Sequence, residues 1–294
     1  MYWREMTEVD RETAARFIGT VDAGERWVFE HPERNPAFER TVCARMCGDA
    51  GALSACVYAG KLRFTVAFED DLPECAGPET GTLLKALIME EGLDAVFWCR
   101  NENAKLRATV EATFRVKPNY ESREMRVSKA EFAAWKAPRL PAGMEIAGYD
   151  PARLTDYLLL LERAMAHVIA PGTTPFLDGR DHFSREFPEH AAQNRFHALL
   201  AEDALAGVCF SGGGEIDTLA LDEAYRRRGA GYALLHAALA GAFENRDGDM
   251  CLYVVDQNTN ALGFYRHIGM RETGHCARYF ITHAAVSAGG NGGI

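Results

Sequence analysis

Residues 220–239 read ALDEAYRRRGAGYALLHAAL, and this stretch decides how the rest of the chain is interpreted. A strand-like run ends at Leu221, three arginines follow, and Gly229 and Gly231 open an apolar helical run. Glycine lets the backbone approach a ligand closely, and the first amides of a helix have no partner inside the helix. Together with the helix dipole, these amides suit an anion such as a pyrophosphate. The stretch therefore predicts a phosphate-binding turn between a strand and a helix.

The composition of the chain disfavours several classes of partner. Its 294 residues are 48% hydrophobic and 25% charged, which fits a globular protein large enough for two domains. The formal net charge of −10 disfavours a nucleic-acid partner, because a negative surface repels phosphate backbones. The sequence has no apolar leader and no run of about 18 apolar residues, so we expect no membrane partner and a cytoplasmic location. Its eight cysteines form no C-x-x-C pair, so we expect no metal site.

An internal repeat predicts two copies of one structural unit. Residues 52–70 (ALSACVYAGKLRFTVAFED) parallel residues 204–222 (ALAGVCFSGGGEIDTLALD), and each stretch reads as two strand runs around a glycine turn. Residues 94–104 parallel residues 250–261 in the same way. Each copy is a series of antiparallel strand runs followed by a strand–helix–strand crossover. This order predicts an α+β fold, in which a mixed, mostly antiparallel twisted sheet is flanked by helices.

A linker with two prolines separates the copies. It reads KAPRLPAG at 136–143 and follows a polar, helix-like stretch. We therefore expect a first domain over 1–137 and a second over 138–286, followed by a disordered glycine-rich tail over 287–294. We expect a monomer or a homodimer.

Two motifs in the second copy carry a resemblance to a known family. The pattern R-x-x-G-x-G at 226–231 is followed by N-x-x-A-x-x-x-Y at 258–265. This pair resembles the GNAT (GCN-five-related N-acetyltransferase) superfamily over roughly a third of the chain, about residues 195–280. The dinucleotide-binding and P-loop patterns are not met here, because Leu234 stands where the third glycine would be and no Gly-Lys-Ser/Thr follows. The resemblance implies two tandem GNAT-like domains and acetyl-CoA as the cosubstrate.

The resemblance also implies which residues contact the coenzyme. The strand at 219–221 would bond the pantetheine arm and the thioester carbonyl through its backbone. The arginines and helix amides would hold the pyrophosphate, and the second motif would add an asparagine and a tyrosine. The implied coenzyme-contacting residues are Leu219, Ala220, Leu221, Arg226, Arg227, Arg228, Gly229, Ala230, Gly231, Tyr232, Asn258, Ala261 and Tyr265.

The same resemblance supplies candidate catalytic groups. Tyr265 fits the family's general acid for the departing thiolate, on a helix where Phe264 is expected to face the core. Glu215 occupies the place of the base glutamate of some members, and Asp217 projects from the same strand face two residues later. The structural alternatives stay open at this stage. Tyr265 fits a packed aromatic equally well, and both carboxylates fit the exposed start of a strand.

The segment before these strands holds several histidines. His167, His182, His190 and His197 lie in a Pro- and His-rich stretch that, in this family, often covers the acceptor site. A histidine there is a candidate base or substrate contact, because its charge changes near neutral pH. We nevertheless expect these histidines to be structural or simply exposed.

The first copy lacks the chemistry of the phosphate-binding turn. Its equivalent stretch, FEDDLPECAGPETGTLL at 68–84, holds four acids before the helix. These acids would repel a pyrophosphate, and Pro78 has no amide to donate. We therefore expect the first domain to be a degenerate GNAT-like copy that binds no coenzyme.

These observations predict an acetyl-CoA-dependent N-acetyltransferase. It would transfer an acetyl group by direct attack to a primary amine of a small molecule or peptide. Two alternatives stay open, a non-catalytic acyl-CoA-binding sensor and an aminoacyl transferase that uses charged tRNA. The tRNA alternative needs a basic surface, which the net charge of −10 disfavours. No motif specifies the acceptor amine.

Overall fold

The computed structural model of the protein describes residues 2–34, 37–166, 175–212, 214–244 and 246–289. Its first elements are β1 (Trp3–Glu5), α1 (Arg11–Val21), α2 (Ala23–Glu30), β2 (Phe38–Cys47), β3 (Gly51–Tyr58), β4 (Lys61–Phe68), α3 (Gly77–Glu91), β5 (Ala95–Arg100), α4 (Ala104–Phe114), β6 (Tyr120–Val127) and α5 (Lys129–Ala133). They are followed by β7 (Met144–Ala147), α6 (Leu154–Ala164), α7 (Arg180–Ala192), β8 (Phe196–Ala201), β9 (Ala204–Gly212), β10 (Glu215–Leu221), α8 (Ala230–Glu244), β11 (Met250–Val255), α9 (Thr259–His267), β12 (Arg271–Ile281) and α10 (His283–Gly289).

The chain forms two compact units. The first unit contains residues 1–123 together with 274–294, and the second contains residues 124–273. The boundaries fall inside β6 and β12, so most of the last strand belongs to the first unit although it follows the second in sequence. This division differs from the predicted boundary at 137/138 and from a second domain running to 286. A local sequence pattern identifies a terminal strand but does not reveal which sheet that strand joins.

The first unit is built on a mostly antiparallel sheet. Its strand order is β1-β2-β3-β4-β5-β12, and within it β4 and β5 run parallel. The turn between β3 and β4 is Ala59–Gly60, with φ values of 49° and 70°. Positive φ at both positions gives a turn whose twist matches the flanking strands. Phe64, Phe97 and Tyr279 are fully buried in the core of this unit, which α3 and α4 help to enclose.

The second unit has helices on both faces of its sheet. Its strand order is β11-β10-β9-β8-β7, with β10 and β11 parallel and the other pairs antiparallel. On one face, here called the α8 face, Cys209 and Ile216 pack with α8 and α9. On the other, here called the α6–α7 face, Val208, Phe210 and Ala220 pack with α6 and α7. Alternate residues of β9 and β10 therefore enter different cores, as the two-residue period of a strand requires.

Both units repeat one element order, which explains the internal repeat in the sequence. The first unit contains the order β2-β3-β4-α3-β5-α4, and the second contains β8-β9-β10-α8-β11-α9. The central helices α3 and α8 have 15 residues each. The predicted α+β fold, with a mixed and mostly antiparallel sheet flanked by helices, is confirmed.

The carboxyl end differs from the prediction. Residues 287–289 complete α10, so the expected disorder of the tail is wrong for them, and residues 290–294 lie outside the described part of the chain. Val286 is buried in the core of the first unit, which anchors this helix. Among the helices that the structure describes, none combines the length and the apolar character needed to cross a bilayer.

Candidate active site

The strand β10 separates the two cores of the second unit and presents alternate side chains to them. Leu219 lies opposite Cys209 and therefore projects to the α8 face, whereas Ala220 lies opposite Val208 and projects to the α6–α7 face. The register with β9 shifts by one residue between Ile216 and Thr218, which makes Asp217 the extra residue of a β-bulge. Bulges re-aim side chains and are frequent near active sites.

A short parallel ladder leaves an opening between β10 and β11. Among the described residues, the register joins Glu215 to Cys251 near the start of both strands, although β10 continues to Leu221 and β11 to Val255. The backbone of Leu219–Leu221 on the β11 side is therefore outside this ladder. Strand backbone groups outside a ladder can pair with an extended ligand. We call this feature the strand opening.

Residues 226–232, here called the phosphate cradle, lie at the end of β10. Gly229 has φ +80° and is exposed, and a β-carbon added to it would meet nothing within 4 Å. The Ala233 amide donates to the Gly229 carbonyl at 3.1 Å, so the amides of residues 229–232 precede the hydrogen bonds of the helix. A β-carbon on Gly231 would lie 3.1 Å from Leu221 Cδ1, so this glycine permits close packing against the strand. The cradle thus presents open amides next to the strand opening.

The three arginines of the cradle are exposed. Arg226 folds back over the strand end, where its Nε and Nη2 donate to the Leu221 carbonyl at 3.3 and 3.2 Å. Arg227 has φ +60°, a left-handed conformation that costs a non-glycine residue roughly 1–3 kcal/mol. Such strain is typical of functional turns. Arg226, Arg227 and Arg228 therefore concentrate positive charge around the open amides in an acidic chain.

Tyr232 directs its side chain away from the cradle. Its hydroxyl donates to the Lys136 carbonyl at 2.6 Å, and its ring lies 6.0 Å from that of Trp135. The side chain therefore fastens the segment after α5 to the first turn of α8. Of the residues that the sequence assigned to the pyrophosphate, Tyr232 can contribute through its backbone amide, whereas its hydroxyl is already bonded.

The second motif forms the start of α9. Asn258 is the N-cap of this helix, and its Oδ1 accepts from the Ala261 amide at 3.2 Å. A side-chain cap of this kind satisfies one of the free donors at the start of a helix. Asn258 and Ala261 thus fix where α9 begins, and the helix in turn positions Tyr265.

Tyr265 is buried on the α8 face. Only 7% of it is exposed, and it packs in the same core as Cys209 and Leu219. Phe264 is half-buried and packs against the same core, as predicted, but Leu262 and Tyr265, three residues apart, form the fully buried side of α9. Burial, together with the Cys209 thiol, holds the pKa of Tyr265 well above its ordinary value. Its hydroxyl therefore keeps its proton at neutral pH.

Glu215 and Asp217 lie on the α6–α7 face, on the other side of the sheet from Tyr265. Glu215 lies opposite Gly212, and Asp217 Oδ2 is 3.2 Å from the position that a β-carbon would take on Gly212. Both side chains therefore flank the same glycine, as their spacing in the sequence predicts. Glu215 is half-buried and Asp217 is exposed. The strand thus carries carboxylates on one face and the tyrosine on the other.

The histidines separate into different environments. His182 and His190 flank Glu186 on α7, at 3.1 and 3.5 Å from its oxygens. His197 lies opposite Cys209 and projects to the α8 face, where burial lowers its pKa. His167 lies outside the described residues. Helix α7 was not predicted from the sequence, although the spacing His182-x-x-x-Glu186-x-x-x-His190 is typical of one helix face.

Part of the chain is similar to a known protein family. The model described as the acetyltransferase (GNAT) family matches residues 164–270, which include the cradle, the strand opening and Tyr265. Over these residues the chain is similar to the acetyltransferase (GNAT) family. The mycothiol acetyltransferase of Clavibacter sepedonicus is 29% identical over 206 residues. That match covers 67% of this chain and 66% of the relative, slightly less than two thirds of its length.

Solved structures share the fold of this chain over most of its length. A GCN5-related N-acetyltransferase from Sphaerobacter thermophilus superposes with a TM-score of 0.67 at 16% identity, covering 96% of this chain and 95% of that one. A tandem GNAT protein from the clavulanic acid biosynthesis pathway gives a TM-score of 0.59 at 12% identity, covering 96% and 98%. At these identities the likeness shows the fold alone.

Proposed function

We propose that the protein is an acetyl-CoA-dependent N-acetyltransferase that acetylates a primary amine of a small molecule or peptide. One observation carries the proposal: the strand opening and the phosphate cradle adjoin each other at the end of β10. Leu221 is the last residue of the strand and borders the strand opening. Its Cδ1 lies 3.1 Å from the β-carbon position of Gly231, and its carbonyl accepts a hydrogen bond from Arg226. An extended thioester whose far end is a pyrophosphate fits this continuity. The similarity to an acetyltransferase supports the same reading.

In this proposal the coenzyme is held by backbone and arginine groups. The amides of residues 229–232 and the side chains of Arg226 and Arg228 would bind the pyrophosphate through charge-assisted hydrogen bonds. The backbone of Leu219–Leu221 would pair with the pantetheine arm and donate to the thioester oxygen. Donors fixed before the reaction stabilise a developing oxyanion by about 2.7–4 kcal/mol each.

The acid and the base would act from opposite faces of the sheet. Tyr265, whose hydroxyl keeps its proton, would donate to the departing thiolate from the α8 face. Glu215 or Asp217 would take the proton of the attacking amine from the α6–α7 face, directly or through water. The two proton transfers concern different atoms, so their separation is no obstacle. An acyl group lying in the strand opening would be reached from both sides.

We also propose that the second unit alone binds the coenzyme and that the first unit is a degenerate copy. The two units share one element order, but the first has acids and Pro78 where the second has arginines and open amides. In this proposal the acceptor is a free amine of a small molecule or peptide. The net charge of −10 favours a cationic acceptor over a nucleic acid.

The test is turnover with acetyl-CoA and a panel of amines. The purified chain is incubated with acetyl-CoA and polyamines, amino acids, aminoglycosides or short peptides, and release of free thiol is followed together with the mass of the acetylated product. We expect thiol release that depends on at least one amine and adds one acetyl group to it. Saturable acetyl-CoA binding without turnover across the whole panel would favour a sensor and contradict the proposal.

A further inference from the structure

His190 lies at a fixed position beside the strand that carries the candidate bases. Its ring is 5.6 Å from the ring of Phe210, and 14% of its side chain is exposed. Its Cε1 is 3.3 Å from the position that a β-carbon would take on Gly212. A β-carbon at residue 212 would make the ring or Asp217 shift by a few tenths of an ångström, so the glycine lets both approach closely.

Two carboxylates that come from different elements lie near the ring. Glu186, one turn earlier on α7, places Oε1 3.5 Å from His190 Nε2. Asp217 Oδ2, from the bulge of β10, is 3.2 Å from the same β-carbon position on Gly212 that His190 approaches. His182 contacts Glu186 on its far side, at 3.1 Å.

No further charge is brought against the ring by the described parts of β8 and β9. From β9 comes the Phe210 ring, which is uncharged. Arg195, just before β8, approaches through its backbone, where its amide donates to the His190 carbonyl at 2.8 Å. From β10 come Asp217 and, opposite Gly212, Glu215. The charged groups near the ring are therefore carboxylates, of which Glu186 and Asp217 raise its pKa.

These surroundings determine how the ring titrates. Burial alone would lower the pKa of His190, but Glu186 and Asp217 outweigh it and hold the pKa above its ordinary value. The same contacts with His182 and His190 lower the pKa of Glu186 to about 2 despite its burial. A protonated ring makes Asp217 a weaker base. When the ring loses its proton, Asp217 becomes more basic and the cluster gains negative charge, which attracts a cationic amine.

We propose that His190 is a positioning residue for the acceptor amine. Its ring, which lies near Glu186 and Asp217, controls the charge and orientation of the carboxylates on the α6–α7 face of β10. This inference rests on the proposed function, since it assigns His190 a role in acetyl transfer. It goes beyond that function because α7 carries neither the coenzyme site nor the acid. It predicts coupled titration of His190 and Asp217, and a pH dependence of transfer that follows the ring.

The coupling is measured by nuclear magnetic resonance, with no substrate needed. The histidine ring signals of the full chain are titrated against pH in the parent, Asp217→Asn and Glu186→Gln, and His190 is assigned by the signal lost in His190→Gln. We expect its midpoint to lie above that of an ordinary histidine and to fall in both neutral variants. If the titration midpoint of His190 is the same in Asp217→Asn as in the parent, the inference is overturned, whatever the activity of the chain.

The role in transfer is measured by the pH profile of kcat/KM for an amine that the panel identifies. In His190→Gln we expect the inflection at the ring's midpoint to vanish and kcat/KM for the amine to fall about tenfold, because Asp217 is no longer fixed. The KM for acetyl-CoA should stay the same. His182→Gln, the matched variant on the far side of Glu186, should keep the inflection. Titration of the amine substrate also gives an inflection in the pH profile, and this inflection is the same in all variants.

The outcomes distinguish the two proposals. If the parent acetylates an amine and His190→Gln has the same profile and rate, His190 is structural and the inference fails while the proposed function stands. If the parent acetylates no amine, the proposed function fails and the inference falls with it. Loss of the inflection together with a lowered midpoint in Asp217→Asn would support both.

Discussion

The two units of the chain share one order of strands and helices but pair their parallel strands differently. In the first unit β4 and β5 are joined over four registered pairs, from Leu62 with Ala95 to Thr65 with Trp98. In the second unit, within the described residues, the register of β10 and β11 joins Glu215 to Cys251. Residues 66–68 at the end of β4 and residues 219–221 at the end of β10 lie outside the parallel ladder in both units. The units therefore differ in which groups contact these strand ends.

The turn before the central helix also differs between the two units. Gly77, which starts α3, is buried with φ −55°, and its β-carbon position lies 3.2 Å from Thr109 Oγ1. Gly229, just before α8, is exposed with φ +80° and open space around it. At the start of α3, the Glu79 carboxylate also accepts hydrogen bonds from the backbone amides of Tyr2 and Trp3. The first unit therefore fills with its own side chains and backbone the position where the second unit presents amides.

The asparagines that precede α4 and α9 show how the first unit closes its strands. Asn103 is fully buried, and its side chain bonds the backbone of Phe68 and Asp70 at the end of β4. Asp71 accepts from the Lys105 amide at the start of α4. In the second unit Asn258 caps its own helix instead. Equivalent residues thus serve the fold in one unit and lie beside the candidate site in the other.

The largest effect is expected from blocking the cradle. Gly229→Val places a branched side chain at φ +80° and over the open amides, which should remove at least two hydrogen bonds to the pyrophosphate. At about 1.5–3 kcal/mol for each bond to a charged group, the Kd for acetyl-CoA should rise by about 10²-fold or more. Calorimetric titration with acetyl-CoA measures it.

The matched control lies at the end of α3 in the first unit. Gly92 has φ +67° and open space around its β-carbon position, so Gly92→Val imposes the same backbone strain away from the cradle. It should lower stability and leave the Kd for acetyl-CoA unchanged. Equal loss of affinity in both variants would mean that strain, rather than a blocked cradle, explains the effect.

The sequence predicted the α+β fold and the repeated unit because both depend on local patterns. Strand runs, a glycine turn and a strand–helix–strand crossover recur in both copies, and each element follows from its own residues. The boundary between the units was not predictable in this way. It depends on β12, whose residues 274–281 belong to the first unit. That choice is made by contacts between residues far apart in the sequence.

The candidate site was predictable where function depends on the backbone. The cradle follows from glycine spacing, since amides at a helix start need no particular side chain. The depth of Tyr265 and the bonded hydroxyl of Tyr232 were not predictable, because packing decides which way a side chain on a helix points. The position of His190 depends on Gly212 and on the bulge at Asp217, and neither leaves a pattern within α7 itself.

The next largest effect concerns the acid. Tyr265→Phe keeps the buried ring and removes the proton donor, so kcat should fall by about 10²-fold while the Kd for acetyl-CoA changes little. Steady-state turnover and coenzyme titration on the same preparation separate the two quantities. An unchanged kcat would make Tyr265 a packed aromatic of the α8 face.

The first unit offers a matched tyrosine. Tyr279 is buried, and its hydroxyl accepts from Arg107 Nε at 3.2 Å and bonds Glu111 Oε1 at 3.1 Å. Tyr279→Phe should reduce the free energy of unfolding by about 1–3 kcal/mol, because Arg107 Nε and Glu111 Oε1 lose their hydrogen bonds to the hydroxyl, and should leave kcat unchanged. A fall in kcat as large as that of Tyr265→Phe would contradict the separation of roles between the units.

The smallest effect concerns the two asparagines. It is also the most direct test of how the two units differ. Asn103→Ala leaves the buried backbone of Phe68 without a partner, which should cost about 2 kcal/mol of unfolding free energy in a denaturant titration. Asn258→Ala removes a helix cap and should cost about 1 kcal/mol. Thermal stabilisation by acetyl-CoA should persist in Asn103→Ala and weaken in Asn258→Ala. If Asn103→Ala instead weakens it more, the bonds of Asn103 at the end of β4 support the coenzyme site, and the first unit cannot be a copy that has simply lost its function.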